Sequence, residues 1–555
     1  MKTDIQIAQE AELRPITEIA EKIGLSADEI IPYGRYKAKI PLAISQTDAP
    51  PRGKLILVAG INPTPAGEGK STAAVGLADA LSLREKNPML ALREPSLGPV
   101  FGIKGGATGG GYSQVVPMAD INLHFTGDFH AVTSAHALLS AMLDNHIWRP
   151  NSLEIDVRRV TWPRSVDMND RALRHVIVGV GGINGGTTRE DEFVIAAASE
   201  VMAIFALASG LEDLEKRFGD VIVGFTREKE PVRARDLKAE GAMTLLMKDA
   251  LAPNLVQTLG RTPTLIHAGP FGNIAHGCNS LVATNTALQL GDYVVTEAGF
   301  GADLGAEKFF NIKSRVGGLE PAVAVVVATV RALKMHGGVP KSDLQTENVE
   351  ALKRGLENLR GHVENVKKHG VPPIVALNRF SADTDAEVAA VLEAAKSWGV
   401  RAVEADPWGS GGEGCLELAD GAVEVADSGE ADFQPLYPLD RSIKEKVETI
   451  ATEIYGADGV DFELSAEKQI AQIEGAGLRD VPICMAKTQY SFSDDPLKLG
   501  RPKDFRITVR EVTPSAGAGF VVVKTGDVMT MPGLSSSPAA EGMRVDRDGT
   551  IRGLF

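Results

Sequence analysis

The sequence is poor in cysteine and carries no excess of positive charge, and both shortages exclude classes of protein. Its 555 residues include three cysteines, Cys278, Cys415 and Cys484, which are far apart and lack the spacing of metal ligands. A disulfide-stabilised scaffold or a cysteine zinc site is therefore not expected, and a reducing cytoplasm fits. The formal net charge is −15, with a pI near 5.3. Because duplex nucleic acids usually bind a basic face, we expect no nucleic-acid partner.

Long hydrophobic runs are also missing. The longest lies around Ala322–Val330, and it is far shorter than the ~20 apolar residues that a membrane-spanning helix needs. A buried strand is expected there instead. The segment Met1–Leu13 is polar and has no apolar centre of the kind that secretory signals contain. We therefore expect a cytoplasmic protein that has no membrane partner.

The sequence does contain enough apolar residues for a large core. Hydrophobic residues make up 44% and charged residues 24% of the chain, as in ordinary globular proteins. The length predicts about two to four packed units. Many of the 58 glycines fall into a few short clusters, which is typical of loops that cradle ligands.

Short apolar runs alternate with helix-like segments, and this alternation predicts an α/β fold with a mostly parallel sheet. Strands are predicted at Lys54–Gly60, Met89–Leu92, Val176–Gly179, Val221–Phe225, Tyr293–Thr296 and Ala322–Val327. A long amphipathic helix is marked by Leu352, Leu356, Leu359, Val363 and Val366. A βαβ unit follows, with strands at Pro373–Leu377 and Val400–Ala405 around a helix at Asp385–Trp398, and we assign it to a second domain.

The segment TPAGEGKST at 64–72 follows a predicted strand and opens a helix, which is the context of a phosphate-binding P-loop. The backbone N–H groups of such a loop and the helix N-terminus hold phosphate oxygens. Lys70 is expected to reach the β- and γ-phosphates and Ser71 to offer its hydroxyl to Mg²⁺, with Thr72 as the alternative in another register. Nucleotide contacts are expected from Thr64, Pro65, Gly67, Glu68, Gly69, Lys70, Ser71 and Thr72.

The loop departs from the usual pattern at Thr64, where glycine is common. A glycine-rich turn that binds nothing is the alternative interpretation. The strand–loop–helix context favours ATP binding, although a P-loop does not by itself define a reaction.

Several longer strings resemble the formate–tetrahydrofolate ligases, two of them the signatures of that family. They are GIKGGATGGGY at 102–112, VATVRALKMHGG at 327–338, LREPSLGP at 92–99, EAGFGADLG at 297–305 and the closing IRGLF at 551–555. There are two departures. Thr108 stands where the first signature more usually has alanine, and Asn62 precedes the phosphate loop where threonine is more usual.

The resemblance implies an enzyme of one-carbon metabolism. It implies that Mg-ATP activates formate as formyl phosphate and that tetrahydrofolate accepts the formyl group, giving 10-formyltetrahydrofolate, ADP and phosphate. A monovalent cation such as potassium and a homotetramer are also implied. The implied fold is a large P-loop NTPase-like domain with a mostly parallel sheet plus two smaller α/β domains. We place the nucleotide- and formate-binding domain at 1–360, the βαβ-containing folate-binding domain at 361–460 and a smaller C-terminal domain at 461–555.

Arg93 lies just past an apolar strand, where the ligands of parallel α/β sheets collect. Its planar fork suits a carboxylate or a transferring phosphoryl group, so it is the candidate ligand of formate and formyl phosphate, and a surface ion pair is the alternative. Glu94 and Asp128 match family positions near the site. They are candidates for holding the cation or polarising the attacking amine, and simple solvation is the alternative. Lys70, Arg93 and Asp128 form the predicted catalytic set, and Ser71 and Glu94 the predicted metal ligands.

Two aromatic residues follow the two strands of the βαβ unit. Because parallel strands end at one rim of a sheet, Phe380 and Trp408 are expected on the same rim, where they can stack on a flat pterin. The alternative is that both rings only cap the sheet, and the resemblance to the family's folate site favours stacking. By the same resemblance, Phe300 packs on the adenine; its alternative role is to anchor a loop.

Two other functions compete with this one. A P-loop switch protein would use its ATP state to control a partner, but such proteins are commonly shorter and need no second βαβ unit with paired aromatic residues. A related ATP-dependent carboxylate ligase would use another acceptor amine. Turnover that requires both formate and tetrahydrofolate would separate these functions.

Overall fold

The computed structural model describes residues 2–47, 49–65, 67–102, 108–526 and 528–554. Ala66 of the phosphate loop, residues 103–107 of the glycine-rich string and Phe555 of the closing string lie outside these ranges. The first strands are β1 (Ile31–Pro32), β2 (Ala38–Lys39), β3 (Lys54–Gly60), β4 (Pro88–Leu92), β5 (Gly109–Gly110), β6 (Ser113–Val116), β7 (Ile155–Val160), β8 (Arg164–Val166), β9 (Val176–Val178), β10 (Arg189–Asp191), β11 (Phe193–Ile195), β12 (Ile222–Thr226) and β13 (Pro231–Arg233). The later strands are β14 (Asn254–Thr258), β15 (Pro263–Ile266), β16 (Tyr293–Gly301), β17 (Pro321–Ala328), β18 (Pro373–Asn378), β19 (Arg401–Ala405), β20 (Val460–Phe462), β21 (Ile483–Ala486), β22 (Ile507–Val509), β23 (Glu511–Ser515), β24 (Phe520–Lys524), β25 (Arg544–Val545) and β26 (Ile551–Arg552).

The helices lie between these strands. The first ones are α1 (Asp4–Glu10), α2 (Ile16–Lys22), α3 (Lys70–Leu83), α4 (Leu97–Phe101), α5 (Met118–Asn122), α6 (Asp128–Trp148), α7 (Glu200–Leu207), α8 (Leu211–Asp220) and α9 (Glu240–Met247). The later ones are α10 (Leu281–Leu290), α11 (Arg315–Gly317), α12 (Val330–His336), α13 (Val349–Lys367), α14 (Asp385–Ser397), α15 (Pro407–Ser410), α16 (Leu416–Ser428), α17 (Ile443–Ile450) and α18 (Leu464–Gly475). Within the described ranges, each helix is too short or too polar to cross a membrane.

One large sheet contains twelve of the described strands, and its centre is parallel. The parallel strands lie side by side in the order β15, β4, β16, β3, β17, β18, β19. Beyond β15 the sheet continues with antiparallel pairing through β14, β2 and β1, and β6 also pairs with β14. The predicted α/β fold with a mostly parallel sheet is confirmed.

The central strands are apolar on both faces because helices cover both faces of the sheet. In β3, successive side chains point to opposite sides. Leu57 and Ala59 join a cluster that includes residues of α10, α13 and α14, whereas Ile56 and Val58 join a cluster that includes residues of α3 and α16. A strand sandwiched in this way needs an unbroken apolar run, which is why KLILVAG was recognisable as a strand.

The carboxyl ends of the parallel strands place the predicted site residues along one edge of the sheet. This edge is where ligands of parallel α/β sheets bind. The phosphate loop follows β3, Arg93 follows β4, Phe300 lies in the end of β16, Phe380 follows β18 and Trp408 follows β19.

The predicted βαβ unit exists, but it extends the large sheet. β18 pairs in parallel with β17, and β19 pairs in parallel with β18. The predicted domain boundary between residues 360 and 361 lies inside α13, and the sheet continues after it. An apolar run predicts a strand but not its neighbours, so the sequence could not reveal this continuation. The division into three domains stays a prediction.

Two of the predicted strands lie outside the large sheet. The run at Val176–Gly179 contains β9, which pairs with β10 in an antiparallel ribbon, and Ile177 on it is 69% exposed. The run at Val221–Phe225 overlaps β12, which pairs in antiparallel fashion with β7 and β13. Their placement in a parallel sheet was wrong, because short apolar runs carry no information about strand direction.

The C-terminal part has a hydrophobic cluster of its own. α17 contributes Ile443, Val447 and Ile450, and β22 contributes Ile507 and Val509. Two small sheets lie in this part, one formed by β20 and β22 and the other by β21, β24 and β23. β20 pairs in parallel with β22 and β21 in parallel with β24, whereas β23 pairs with β24 in antiparallel fashion.

Candidate active site

The phosphate loop joins β3 to α3 and is closed by two of its own side chains. Gly67 and Gly69 have φ angles of 74° and 69°, in the left-handed region that favours glycine. The backbone N–H and the hydroxyl of Thr64 both donate to Glu68 Oε1, at 2.7 and 2.9 Å. Thr64 therefore fits this loop despite its departure from the usual glycine, because its hydroxyl has a partner within the loop.

The first turn of α3 holds the residues that were predicted to act on phosphates and metal. Lys70, Ser71 and Thr72 are half-buried there, and Pro65 in the loop is exposed. The Ser71 hydroxyl donates to Glu297 Oε2 at 2.7 Å. This contact favours Ser71 over Thr72 as the functional hydroxyl.

Glu297 is the carboxylate around which the site is arranged. It lies on β16, is 1% exposed, and accepts from Lys70 Nζ at 3.1 Å through the same oxygen that Ser71 contacts. Lys70 also donates to the Ala298 carbonyl at 2.5 Å. On the other side, Arg93 Nη2 lies 3.8 Å from Glu297 Oε1. Lys70 and Arg93, the two basic residues of the predicted catalytic set, thus both lie beside one buried carboxylate.

Burial and neighbouring charges shift the pKa values of Lys70 and Glu297. Burial lowers the pKa of the Lys70 ammonium, and the nearby Glu297 carboxylate opposes that change. Burial alone would raise the pKa of Glu297, but Lys70, Arg93 and the Ser71 hydroxyl hold it below its usual range. Glu297 is therefore an anion at neutral pH, and its charge keeps Lys70 in place before any ligand binds.

The Arg93 side chain is held by a backbone carbonyl, but one of its N–H donors has no acceptor in the part of the chain that the structure describes. Its Nη1 donates to the Pro270 carbonyl at 3.2 Å. Its Nε is buried and has no hydrogen-bond partner among the described residues. A buried donor without a partner costs free energy. An anionic ligand at this position would accept the hydrogen bond that Arg93 Nε does not make within the described part of the protein.

Phe300 lies where β16 meets a glycine-rich loop. Its φ of 62° is in the left-handed region, which is uncommon for an aromatic residue and fixes the direction of the ring. A Cβ placed on Gly272 would come within 3.1 Å of the ring, so the ring lies directly on that glycine. The half-buried ring is at the same edge of the sheet as the phosphate loop.

Phe380 is tied to the phosphate loop through Arg331. The guanidinium of Arg331 lies 3.7 Å from the centre of the Phe380 ring, and its Nη2 donates to the Gly67 carbonyl at 3.0 Å. Asn378, the last residue of β18, donates to the Glu68 carbonyl at 3.0 Å. The end of β18 and the loop therefore form one connected structure. Arg331 lies in the string at 327–338 that resembles the family, but no role was predicted for it.

Trp408 lies on the neighbouring rim position and packs on the glycine-rich string. Its carbonyl accepts from the Tyr112 N–H at 2.9 Å, and a side chain at Gly111 would collide with its ring. Both Trp408 and Phe380 are half-buried. Because β18 and β19 are adjacent and parallel, the two aromatic residues do share one rim, as predicted.

A family model of the formate–tetrahydrofolate ligases matches residues 2–555 of this chain. The chain belongs to the formate–tetrahydrofolate ligase family. These enzymes are carbon–nitrogen ligases that join formate to tetrahydrofolate at the expense of ATP. Family membership decides between the predicted activities in favour of this ligase, against both the switch protein and a ligase for another acceptor.

In this ligase, Asp128 lies in a buried ion pair away from the phosphate loop. It is the first residue of α6, and its carboxylate accepts from Lys39 Nζ at 2.9 Å and from Asn254 Nδ2 at 2.7 Å. The side chains of Asp128 and Lys39 are 1% and 2% exposed. These contacts describe a group that holds α6 to β2 and β14. Its catalytic role stays a prediction.

Glu94 follows Arg93 in the chain and has Asp128 and Lys39 among its charged neighbours. It is 5% exposed, and its Oε2 has no hydrogen-bond partner among the described residues. Burial and the nearby Asp128 carboxylate raise the pKa of Glu94 well above its usual range. A cation beside Oε2 would reverse this effect, so the orphaned oxygen fits the predicted metal ligand.

The start of the phosphate loop in the ligase is fixed by Asn62, which the sequence marked only as a departure from the family. Its backbone N–H lies 2.9 Å from His362 Nε2, and its carbonyl lies 2.9 Å from His336 Nε2. Its side chain donates to Asp303 at 3.1 Å and accepts from Asn358 at 2.9 Å. Burial lowers the pKa of both histidines, that of His362 to about 3. Neutral imidazoles therefore hold the loop in one position across the physiological pH range.

Proposed function

We propose that the protein phosphorylates formate with Mg-ATP and transfers the formyl group from formyl phosphate to tetrahydrofolate. The supporting observation is that Lys70, Ser71 and Arg93 converge on one buried carboxylate at the carboxyl edge of the sheet. A formate oxygen attacks the γ-phosphorus and ADP leaves. The folate amine then attacks the formyl carbon, loses its proton and displaces phosphate, which gives 10-formyltetrahydrofolate.

The first step brings two anions together, so the protein must neutralise charge. In phosphoryl transfer, catalysis is mainly positioning and electrostatic stabilisation. Lys70 lies in the loop where an ammonium meets the β- and γ-phosphates. Arg93 approaches from the neighbouring strand, and its unpartnered Nε leaves it capacity for a second anion. We assign the nucleotide to Lys70 and formate or formyl phosphate to Arg93.

Two cations complete the proposal. The Ser71 hydroxyl would be one ligand of Mg²⁺, which would supply positive charge to the phosphates of ATP. Among the described residues, no three acidic, histidine or cysteine side chains form a metal cluster. This fits a magnesium ion that keeps waters and is held largely by substrate phosphates. Glu94 is the proposed ligand of a monovalent cation such as potassium, because its buried Oε2 lacks a partner.

The adenine and the folate are proposed to stack on aromatic residues at the same edge of the sheet. We assign Phe300 to the adenine, and Phe380 and Trp408 to the pterin. One face of the Phe380 ring is already covered by Arg331, so the pterin would use the other face. Since Arg331 also contacts the phosphate loop, a folate on Phe380 would lie next to the acyl phosphate. A homotetramer and a cytoplasmic location complete the proposal.

The activity itself is tested by omitting substrates one at a time. Purified protein is incubated with Mg-ATP, formate and tetrahydrofolate, and ADP and 10-formyltetrahydrofolate are both measured. We expect sustained ADP formation only when all three substrates are present, with one ADP for each formylated folate. ATP turnover that ignores formate or tetrahydrofolate would contradict the proposal.

Replacing Trp408 by alanine is expected to weaken tetrahydrofolate binding. A stacked ring contributes ~0.5–1.5 kcal/mol beyond the apolar area that it buries, so the loss should be about tenfold to a hundredfold in Kd. The KM values of ATP and formate should change little. Phe380→Ala should behave in the same way, and the double variant should cost less than the sum if both rings hold one pterin.

The measurement is direct folate binding beside steady-state KM, because KM need not equal Kd. Trp398, a half-buried tryptophan at the C-terminus of α14, provides the matched control. Trp398→Ala should lower thermal stability and leave folate binding intact. Small additive effects at Trp408 and Phe380 that simply follow thermal stability would show that the rings only cap the sheet.

A further inference from the structure

Glu297 has the position of a metal ligand that no sequence pattern had indicated. It lies on β16, the parallel neighbour of β3, and pairs in register with Val58 just before the phosphate loop. In P-loop NTPases, Mg²⁺ is held by the hydroxyl that follows the loop lysine together with a Walker-B aspartate. Ser71 is that hydroxyl, and Glu297 is an acidic residue in the middle of the adjacent strand whose side chain lies 2.7 Å from it.

The contacts of Glu297 show what it does without nucleotide. Its Oε2 accepts from Lys70 and Ser71, and its Oε1 faces Arg93. Both basic side chains are groups that anionic substrates would attract. A buried carboxylate that loses such partners is left uncompensated, which is costly unless another cation takes their place. A divalent ion that arrives with the phosphates would supply that charge.

Glu94 does not have this geometry. Its charged neighbours are Asp128, Lys39 and Asp167, and no described contact joins it to Lys70 or Ser71. The two carboxylates therefore belong to different groups of side chains. Glu94 belongs to the group around Asp128 of α6, and Glu297 belongs to the group at the phosphate loop.

We propose that Glu297, together with Ser71, is the protein's ligand for the magnesium ion of Mg-ATP, binding it directly or through a metal-bound water. Without nucleotide, the same carboxylate holds Lys70 and Ser71 in place. This inference rests on the proposed ATP site. It adds Glu297 to Ser71, the predicted magnesium ligand, and leaves Glu94 as the proposed ligand of the monovalent cation.

The test compares nucleotide binding with and without Mg²⁺ in the wild type and in Glu297→Gln. The probe is a non-hydrolysable ATP analogue, titrated by calorimetry, so the readout does not depend on turnover. In the wild type, Mg²⁺ should tighten binding. In Glu297→Gln, metal-free binding should be retained, because the change removes a negative charge near the phosphates. The Mg²⁺-dependent gain should fall by about tenfold to a hundredfold.

A second readout follows the metal itself. Mn²⁺ replaces Mg²⁺, and its binding to the protein–analogue complex is followed by electron paramagnetic resonance. Weaker Mn²⁺ binding in Glu297→Gln supports the proposal. The matched control is Glu307→Gln, which replaces a fully buried carboxyl that is hydrogen-bonded to Asn311 and has no described contact with Lys70, Ser71 or Arg93. This control should keep the wild-type response to both metals.

The outcomes separate the inference from the function on which it rests. If the wild type does not bind the analogue at all, the ATP site itself is wrong. If it binds, and Glu297→Gln loses thermal stability but keeps the full metal response, Glu297 is only a structural partner of Lys70. If Glu297→Gln does not fold, Glu297→Asp keeps the charge on a shorter side chain. The Mg²⁺ concentration for half-maximal binding should then rise several-fold, and an unchanged value would overturn the proposal.

Discussion

Lys70→Ala is expected to lower kcat by roughly 10²–10³-fold, the range found when one preorganised electrostatic group is removed from a transition state. The ammonium is held by Glu297 and the Ala298 carbonyl beside the phosphate loop, so its position is set before ATP arrives. Because negative charge moves toward the leaving oxygen during transfer, kcat should fall more than KM rises. The measurement is the steady-state rate with all three substrates, beside binding of the ATP analogue.

A surface lysine gives the control for this experiment. Lys86 is exposed and lies beyond the far end of α3, so Lys86→Ala should have wild-type kinetics. The thermal stability of Lys70→Ala must be measured too, because the change leaves Glu297 with Ser71 and Arg93 as its remaining partners. A well-folded Lys70→Ala enzyme with near-normal kcat would show that this loop is not the ATP site.

Asp128→Asn is expected to reduce the free energy of unfolding by about 3–5 kcal/mol, the usual cost of removing one partner of a buried ion pair. The substitution keeps the shape of the side chain and leaves the Lys39 ammonium buried without its ion-pair partner. Chemical denaturation measures the loss. If the ion pair is the only role of Asp128, the folded Asp128→Asn protein should keep a kcat close to that of the wild type.

A double-mutant cycle distinguishes the ion pair from a catalytic acid. Lys39→Met alone should be strongly destabilising, whereas Lys39→Met combined with Asp128→Leu removes both charges and should cost less than the sum. If Asp128→Asn is instead fully stable and its kcat falls by orders of magnitude, the catalytic role predicted from the sequence is correct and the contacts of Asp128 are secondary.

The parts of the fold that were predictable are those whose pattern is local. β3 was predicted with its observed bounds, because a strand covered on both faces must be continuously apolar and the phosphate loop marks its end. α13 was predicted because its apolar residues recur at helical spacing and are all buried. Phe380 and Trp408 were placed on one rim by the geometry of parallel strands alone.

The parts that were missed depend on pairing between distant segments. Glu297 becomes significant only once β16 is known to lie beside β3, and an apolar run does not reveal its neighbour. The same limit explains why the sequence could not show that β18 and β19 continue the large sheet. The sequence could not show that Asp128 is buried against Lys39, because Lys39 lies on a two-residue strand that no pattern predicts.

The order of strands in the sheet has a consequence for the synthesis of the protein. β3 is complete once Gly60 has been made, but its two neighbours begin only at Tyr293 and Pro321. At ~5–20 residues per second, on the order of tens of seconds separate these events on the ribosome. Throughout that interval, a strand that is apolar on both faces has two open edges, which is the arrangement that promotes aggregation. We therefore expect the segment of β3 to be an aggregation-prone part of the nascent chain until both neighbouring strands have been made.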